Sequence, residues 1–137
     1  MEEAEALGIV DRLHDVLGKF YRGGAEAPVR GVLTEDVEWH VPGNGPISGD
    51  HRGIDAVVDY FTTRRDLAQG SFRMHLGEVL VGEEHVAVLA DGTATIGGVE
   101  HGWTTVGLYR IRDGRVAACW LLPLDQAAFD AIWSPHA

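Results

Sequence analysis

The chain has one cysteine, Cys119, in 137 residues. No intramolecular disulfide can form, and the paired-cysteine spacings of zinc sites are absent, so a reducing cytoplasm is the expected compartment. Positive charge is scarce as well. There are 11 Lys and Arg against 21 Asp and Glu, a formal net charge of −10. Polyanions are bound largely through Lys and Arg, so this balance argues against nucleic acid as a partner, and likewise against an anionic membrane surface. Long apolar runs are missing too. The longest, Val116 to Leu124, contains Pro123 and is too short to span a bilayer. Met1-Glu2-Glu3-Ala4-Glu5 is acidic where a secretory signal is basic. What is present, 45% hydrophobic residues, suffices for one core, because a chain of this size buries roughly two-thirds of its unfolded surface. The expectation is one soluble domain over residues 1–137, with no repeat, linker or low-complexity segment.

Leu7, Val10, Leu13, Val16, Leu17 and Phe20 recur at spacings of three and four, which predicts a first helix ending at Gly23-Gly24. Pro28 suits the first turn of a short second helix running through Val32-Leu33. Val37-Glu38-Trp39-His40-Val41 alternates like a strand, and Pro42 to Asp50 reads as a turn-rich loop. Helical spacing resumes from about Gly53 to Leu67. From Phe72 the period becomes two, predicting strands up to about Gly82, over His85–Ile96, Trp103–Ile111 and Val116–Leu122. Asp91-Gly92 could instead be a hairpin turn, whereas Asp113-Gly114 reads as the tight connection between the last two strands. Asp125 is placed to cap a short closing helix through Trp133. Helix, helix, strand, helix, four antiparallel strands and a final helix make an α+β protein with helices on one face of a bent sheet.

This order, with Glu35-Asp36-Val37-Glu38-Trp39-His40-Val41-Pro42-Gly43, Gly49-Asp50-His51-Arg52-Gly53-Ile54-Asp55-Ala56-Val57 and Arg112-Asp113-Gly114-Arg115-Val116, resembles the nuclear-transport-factor-2-like superfamily over nearly the whole chain. The closest likeness is to its SnoaL-like and ketosteroid-isomerase-like members. That resemblance implies a cystatin-like α+β roll: a cone-shaped, curved, mainly antiparallel sheet wrapped around a long N-terminal helix, with an apolar pocket at the mouth. It also implies a homodimer through the convex sheet face, on the side of Trp120. The scaffold hosts isomerases, cyclases, dehydratases, epoxide hydrolases and plain binding modules, so function must be read from the site.

His40 lies where the ketosteroid isomerases carry their general-base aspartate, and an imidazole titrating near neutrality suits proton transfer. The oxyanion pair of those enzymes, a Tyr and a protonated Asp, does not carry over: the corresponding positions fall near Val16 and Gly107. Leu121 stands where SnoaL-type cyclases place an acid–base Asp, and Arg112-Asp113 belongs to a turn rather than to the Asp-Arg-Asp set of limonene-epoxide-hydrolase-like enzymes. His75 resembles the first of the two histidines of scytalone-dehydratase-like enzymes, and spacing allows His101 as the second. Asp91 becomes a candidate base if its strand runs straight through. The catalytic candidates are therefore His40, His75 and Asp91. The substrate-lining candidates are Trp39, Tyr60, Trp103, Thr105, Tyr109, Cys119 and Leu121, the last five from the inward parity implied for their strands.

Trp120, Val116, Ala118 and Leu122 are then expected to point outward. His14 is assigned to the polar side of the first helix, His51 and His85 to positions in or beside turns, and His136 to the tail. Cys119 has no adjacent base and reads as a small buried residue. No histidine spacing suits a metal, and no glycine order suits a phosphate loop, so no cofactor is expected. The leading expectation is a cofactor-free acid–base enzyme of isomerase, cyclase or dehydratase type, acting on a small apolar oxygenated molecule such as a polyketide or terpenoid intermediate. The alternatives are a non-catalytic small-molecule-binding or dimeric interaction module of the same fold, and an epoxide-hydrolase-like enzyme. Convergence of His40, His75 and Asp91 on one cavity would favour the enzyme, and their scatter over the surface the binding module.

Overall fold

A computed structural model describes residues 2–134. The first helix, α1, runs over Glu3–Tyr21 and buries the stripe Ala6, Ile9, Val10, Leu13, Leu17, Phe20 and Tyr21. Burying one such Leu contributes about 1.5–3 kcal/mol, so this stripe is what seats the helix. The chain leaves α1 through Gly23, at φ 96°, a backbone angle that glycine adopts without strain. Next come α2 (Ala27–Gly31), β1 (Leu33–Val41), β2 (Gly49–Arg52), α3 (Ile54–Ala68), β3 (Arg73–Val81), β4 (His85–Ile96), β5 (Val99–Arg112), β6 (Arg115–Pro123) and α4 (Gln126–Trp133). Asp125 caps α4 as expected, its carboxylate accepting from the Ala128 N–H at 3.0 Å.

The strands form one curved, open sheet in the order β2-β1-β6-β5-β4-β3. Only β1 and β6 run parallel; the other neighbours are antiparallel. Burial alternates along β4, with Val86, Val88, Ala90, Ala94 and Ile96 buried, so one face meets the helices and the other faces outward.

Three local expectations are corrected. First, the stretch read as a loop up to Asp50 contains the start of β2, which pairs antiparallel with β1, His40 opposite Asp50. Four polar or small residues carry no apolar alternation, so only the pairing makes them a strand. Second, β4 passes straight through Asp91-Gly92, and the β4–β5 turn is made by Gly97 and Gly98, at φ 61° and 81°. Third, Val116 is buried in the core rather than outward, beside a register shift in the β5–β6 pairing between Arg110 and Ile111. Such a bulge resets which residues face inward.

The loop between β1 and β2 holds α4 in place. Gln126 Nε2 donates to the Pro42 carbonyl at 3.3 Å, and Gly43, at φ 112°, lies so close that an added Cβ would overlap Asp130 Oδ1. Gly43→Ala is therefore expected to cost about 1–3 kcal/mol, from backbone strain and displacement of Asp130. Thermal melting together with faster amide exchange over residues 126–133 checks this; an unchanged melt would show that the loop does not hold the helix.

Candidate functional site

The inward sheet face and α3 enclose a polar row inside an aromatic core. On α3, Val57, Phe61, Arg64 and Ala68 fall at helical spacing and are all buried, which carries a guanidinium inward on an apolar stripe. Arg64 is only 6% exposed. Its Nη1 donates to the Tyr60 hydroxyl at 3.0 Å, while its Nε has no partner. Among the described residues no Asp or Glu forms a salt bridge with it. Four rings surround the guanidinium instead: Phe72 at 4.5 Å, Trp133 at 4.6 Å, Phe129 at 5.7 Å and Trp103 at 5.8 Å. Trp103 can lie in this position because the residue opposite it on β4 is Gly92, whose missing side chain leaves room for the indole.

His14 and Tyr109 form the other end of the row. The His14 Nδ1 lies 2.8 Å from the Val10 carbonyl, which assigns the proton to Nδ1 and leaves Nε2 as the free lone pair. That Nε2 is 3.5 Å from the Tyr109 hydroxyl, the two rings meeting edge to face at 5.9 Å. Tyr109 leans back over Gly107, a second inward glycine that leaves room for a ring. Burial pushes the His14 imidazole below its ordinary value, against the opposing pull of the Val10 carbonyl and Asp11. Burial also raises the phenols of Tyr21, Tyr60 and Tyr109, and the Arg64 charge only partly opposes this. At neutral pH the site therefore holds a neutral imidazole and three protonated phenols. Burial raises the Cys119 thiol likewise, so it is a protonated wall residue rather than a thiolate nucleophile. A cleft of about 310 Å³ between α1 and β3 opens on His14, Tyr21, Phe72, Met74 and His75. Phe72 joins the two ends, stacking on Tyr21 at 4.5 Å and carrying Arg64 against its ring.

The lowered His14 value has a stability consequence. Its unfolded counterpart titrates near 6.5, so below that pH the unfolded chain takes up the proton first. The contribution of neutral His14 is fully present above about pH 6.5 and is lost as pH falls toward the lower folded value. Melting temperature measured from pH 7 to 5 should drop less steeply in His14→Gln than in the parent; parallel curves would remove His14 as a source of the acid limb.

The catalytic candidates drawn from sequence do not meet in one cavity. Trp39 points inward, so its neighbour His40 points outward, where its ring stacks on Trp120 at 5.3 Å and Nδ1 lies 2.8 Å from Asp50 Oδ1. Glu38 approaches the other ring nitrogen at 3.7 Å and pairs with Arg52. His85 also flanks Trp120, so this is an outer-face ring cluster. Asp91 is exposed on the same outer side, accepting from the Thr104 hydroxyl at 2.6 Å. His75 pairs with Asp91 across β3–β4 and is exposed at the rim of the cleft, while Met74 packs on the core. His101, opposite Ala94, has the opposite parity to Thr104.

By contrast, Trp39, Tyr60, Thr105, Tyr109, Cys119 and Leu121 are all buried on the inward side, and Trp103 packs against that core. His14 is not on the polar side of α1 but half-buried at the site. His51 lies in β2, beside the loop, and stacks on Tyr60 at 4.8 Å. His136 lies outside the described residues. Arg64, His14 and Tyr21 were missed. The signal for the first two was a charged or titratable residue standing on an apolar helical stripe, Val10, His14, Leu17 and Tyr21 in the case of α1.

Comparison with known proteins agrees with this architecture. A family model described as the SnoaL-like domain matches residues 12–119. No curated protein matches the sequence. Among solved structures, Bal32a from a soil-derived mobile gene cassette is 24% identical, covers 95% of this chain and 97% of its own, and superposes with a TM-score of 0.86. A protein of unknown function with a cystatin-like fold from Xanthomonas campestris is 26% identical, over 94% of this chain and 98% of its own, at 0.83. TerC, co-crystallised with polyporic acid, is 17% identical over 93% and 97%, at 0.77. Among the described residues no helix is long and apolar enough to cross a membrane.

Proposed function

Because the chain belongs to the family of SnoaL-like domains, we propose that it is an acid–base enzyme of isomerase, cyclase or dehydratase type. It would act on a small, largely apolar, oxygenated molecule held between α1, α3 and the inward sheet face. The single observation that carries this reading is the His14–Tyr109 pair. The Val10 carbonyl fixes the tautomer, and a neutral imidazole presents Nε2 beside a phenol that stays protonated. Such a pair can remove a proton from carbon while donating a hydrogen bond to the oxygen that becomes negative. In this reading the base is His14 and not His40, whose ring faces away from the interior. TerC, co-crystallised with polyporic acid, supports the idea that this fold holds a small organic molecule.

The test is incubation of the protein with polycyclic ketones, enones, epoxides and linear terpenoids in deuterium oxide, followed by mass spectrometry. Isomerised, cyclised or dehydrated product, or deuterium gained at carbon, supports the enzyme. A ligand that raises the melting temperature and returns unchanged and unlabelled supports the binding module in its place. The same reading assigns the outer sheet face, where Leu122 is 47% exposed beside Trp120, to contact between two copies of the chain. Sedimentation at twice the chain mass of 14.9 kDa supports the dimer, and a monomer at every concentration removes it.

A further inference from the structure

We propose that the Arg64 box is the seat of an anionic group, a carboxylate or ionised enol, borne by a small flat aromatic ligand. This rests on the reading of the interior as a ligand site and names the class of molecule it takes. A guanidinium is always charged, and removing it from water without a counter-ion is costly. Here the charge is buried, its Nε donates to nothing, and no described carboxylate pairs with it. The surrounding rings attract the cation but accept no in-plane hydrogen bond from its N–H groups.

A second, independent donor is stranded in the same box: Trp133 Nε1, buried and without a partner. The Tyr60 hydroxyl accepts from Arg64 and still has its own proton to give. The box is thus rich in donors, its phenol oxygens are its acceptors, and it lacks an anionic one, the complement of a planar oxyanion, which a guanidinium fork binds through two oxygens. Its walls, Phe72, Trp103, Phe129 and Trp133, match a flat aromatic body. The net charge of the chain is −10, so the attraction comes from this one cation and not from a general field. Two of the four walls belong to α4, which the Gln126–Pro42 contact holds down, so entry requires α4 to lift.

The test compares 2-naphthoate with 2-naphthamide, equal in shape and differing in charge, by calorimetry and by quenching of tryptophan fluorescence on the full chain. Naphthoate is expected to bind at least about tenfold more tightly, the range of a hydrogen-bonded ion pair over a neutral contact. Arg64→Met should abolish that preference. Trp133→Phe, which keeps a ring and loses the N–H, should weaken naphthoate several-fold and naphthamide less, because an amide carbonyl accepts more weakly than a carboxylate. Equal binding of the two probes, a preference that survives Arg64→Met, or no binding of either at millimolar concentration overturns the proposal. A charge preference with no turnover in the deuterium screen leaves this inference standing and removes the enzyme; turnover without a charge preference does the reverse.

Discussion

Trp39→Ala is expected to cost about 3–5 kcal/mol of stability, the range for deleting a buried large aromatic side chain. For a chain of this size that corresponds to a melting temperature lower by roughly 10–20 °C. The residue is 3% exposed and stands where β1, α3 and β5 meet. Its indole meets Phe61 edge-on at 4.9 Å, Tyr109 at 5.9 Å and Tyr60 at 6.4 Å. Removing it takes the packing partner from two phenols of the polar row at once, and the α3 backbone is too well anchored by Val57, Phe61 and Ala68 to collapse into the space. The cavity term therefore adds to the lost transfer energy rather than relaxing away. Denaturant unfolding with an unchanged slope and a loss under about 1 kcal/mol would show that the interior does not depend on this ring.

The pattern of β1 also shows how far the sequence could be read. Alternation in a strand sends Trp39 and His40 to opposite faces, so one side of that pair alone can meet the interior. Trp39 as a lining residue and His40 as an interior base were incompatible from the start. The resemblance to ketosteroid isomerases supplied His40, and strand parity overrules it. Signals of short range were legible: the α1 stripe, the Asp113-Gly114 turn with both residues at positive φ, the Asp125 cap, and the alternation along β5, whose inward set came from the family resemblance. What depended on distant partners was not. The strand β2 exists because β1 pairs with it, and Val116 turns inward beside a bulge in the β5–β6 ladder. Arg64 and His14 were visible as misfits on apolar stripes, but their chemistry comes from Trp133 and Tyr109, far along the chain.

His14→Gln should lower kcat by about 10²–10⁴-fold on any substrate that the screen turns over, the usual contribution of a positioned general base. That is about 3–5 kcal/mol of barrier. Glutamine keeps much of the bulk and a polar end but cannot take up a proton, so KM should change little and the loss should fall on kcat. The pH profile separates this from a structural effect. The base works only when unprotonated, and burial holds its value below the ordinary 6.5. Parent kcat/KM should stay level through neutrality and decline only below about pH 6.5, while the residual rate of His14→Gln stays flat across that window. His40→Gln, altered on the outer face, should keep the parental acid limb. If His14→Gln retains full kcat, or if the acid limb follows His40 instead, proton transfer does not run through the α1 imidazole, and the cone interior binds without catalysing there.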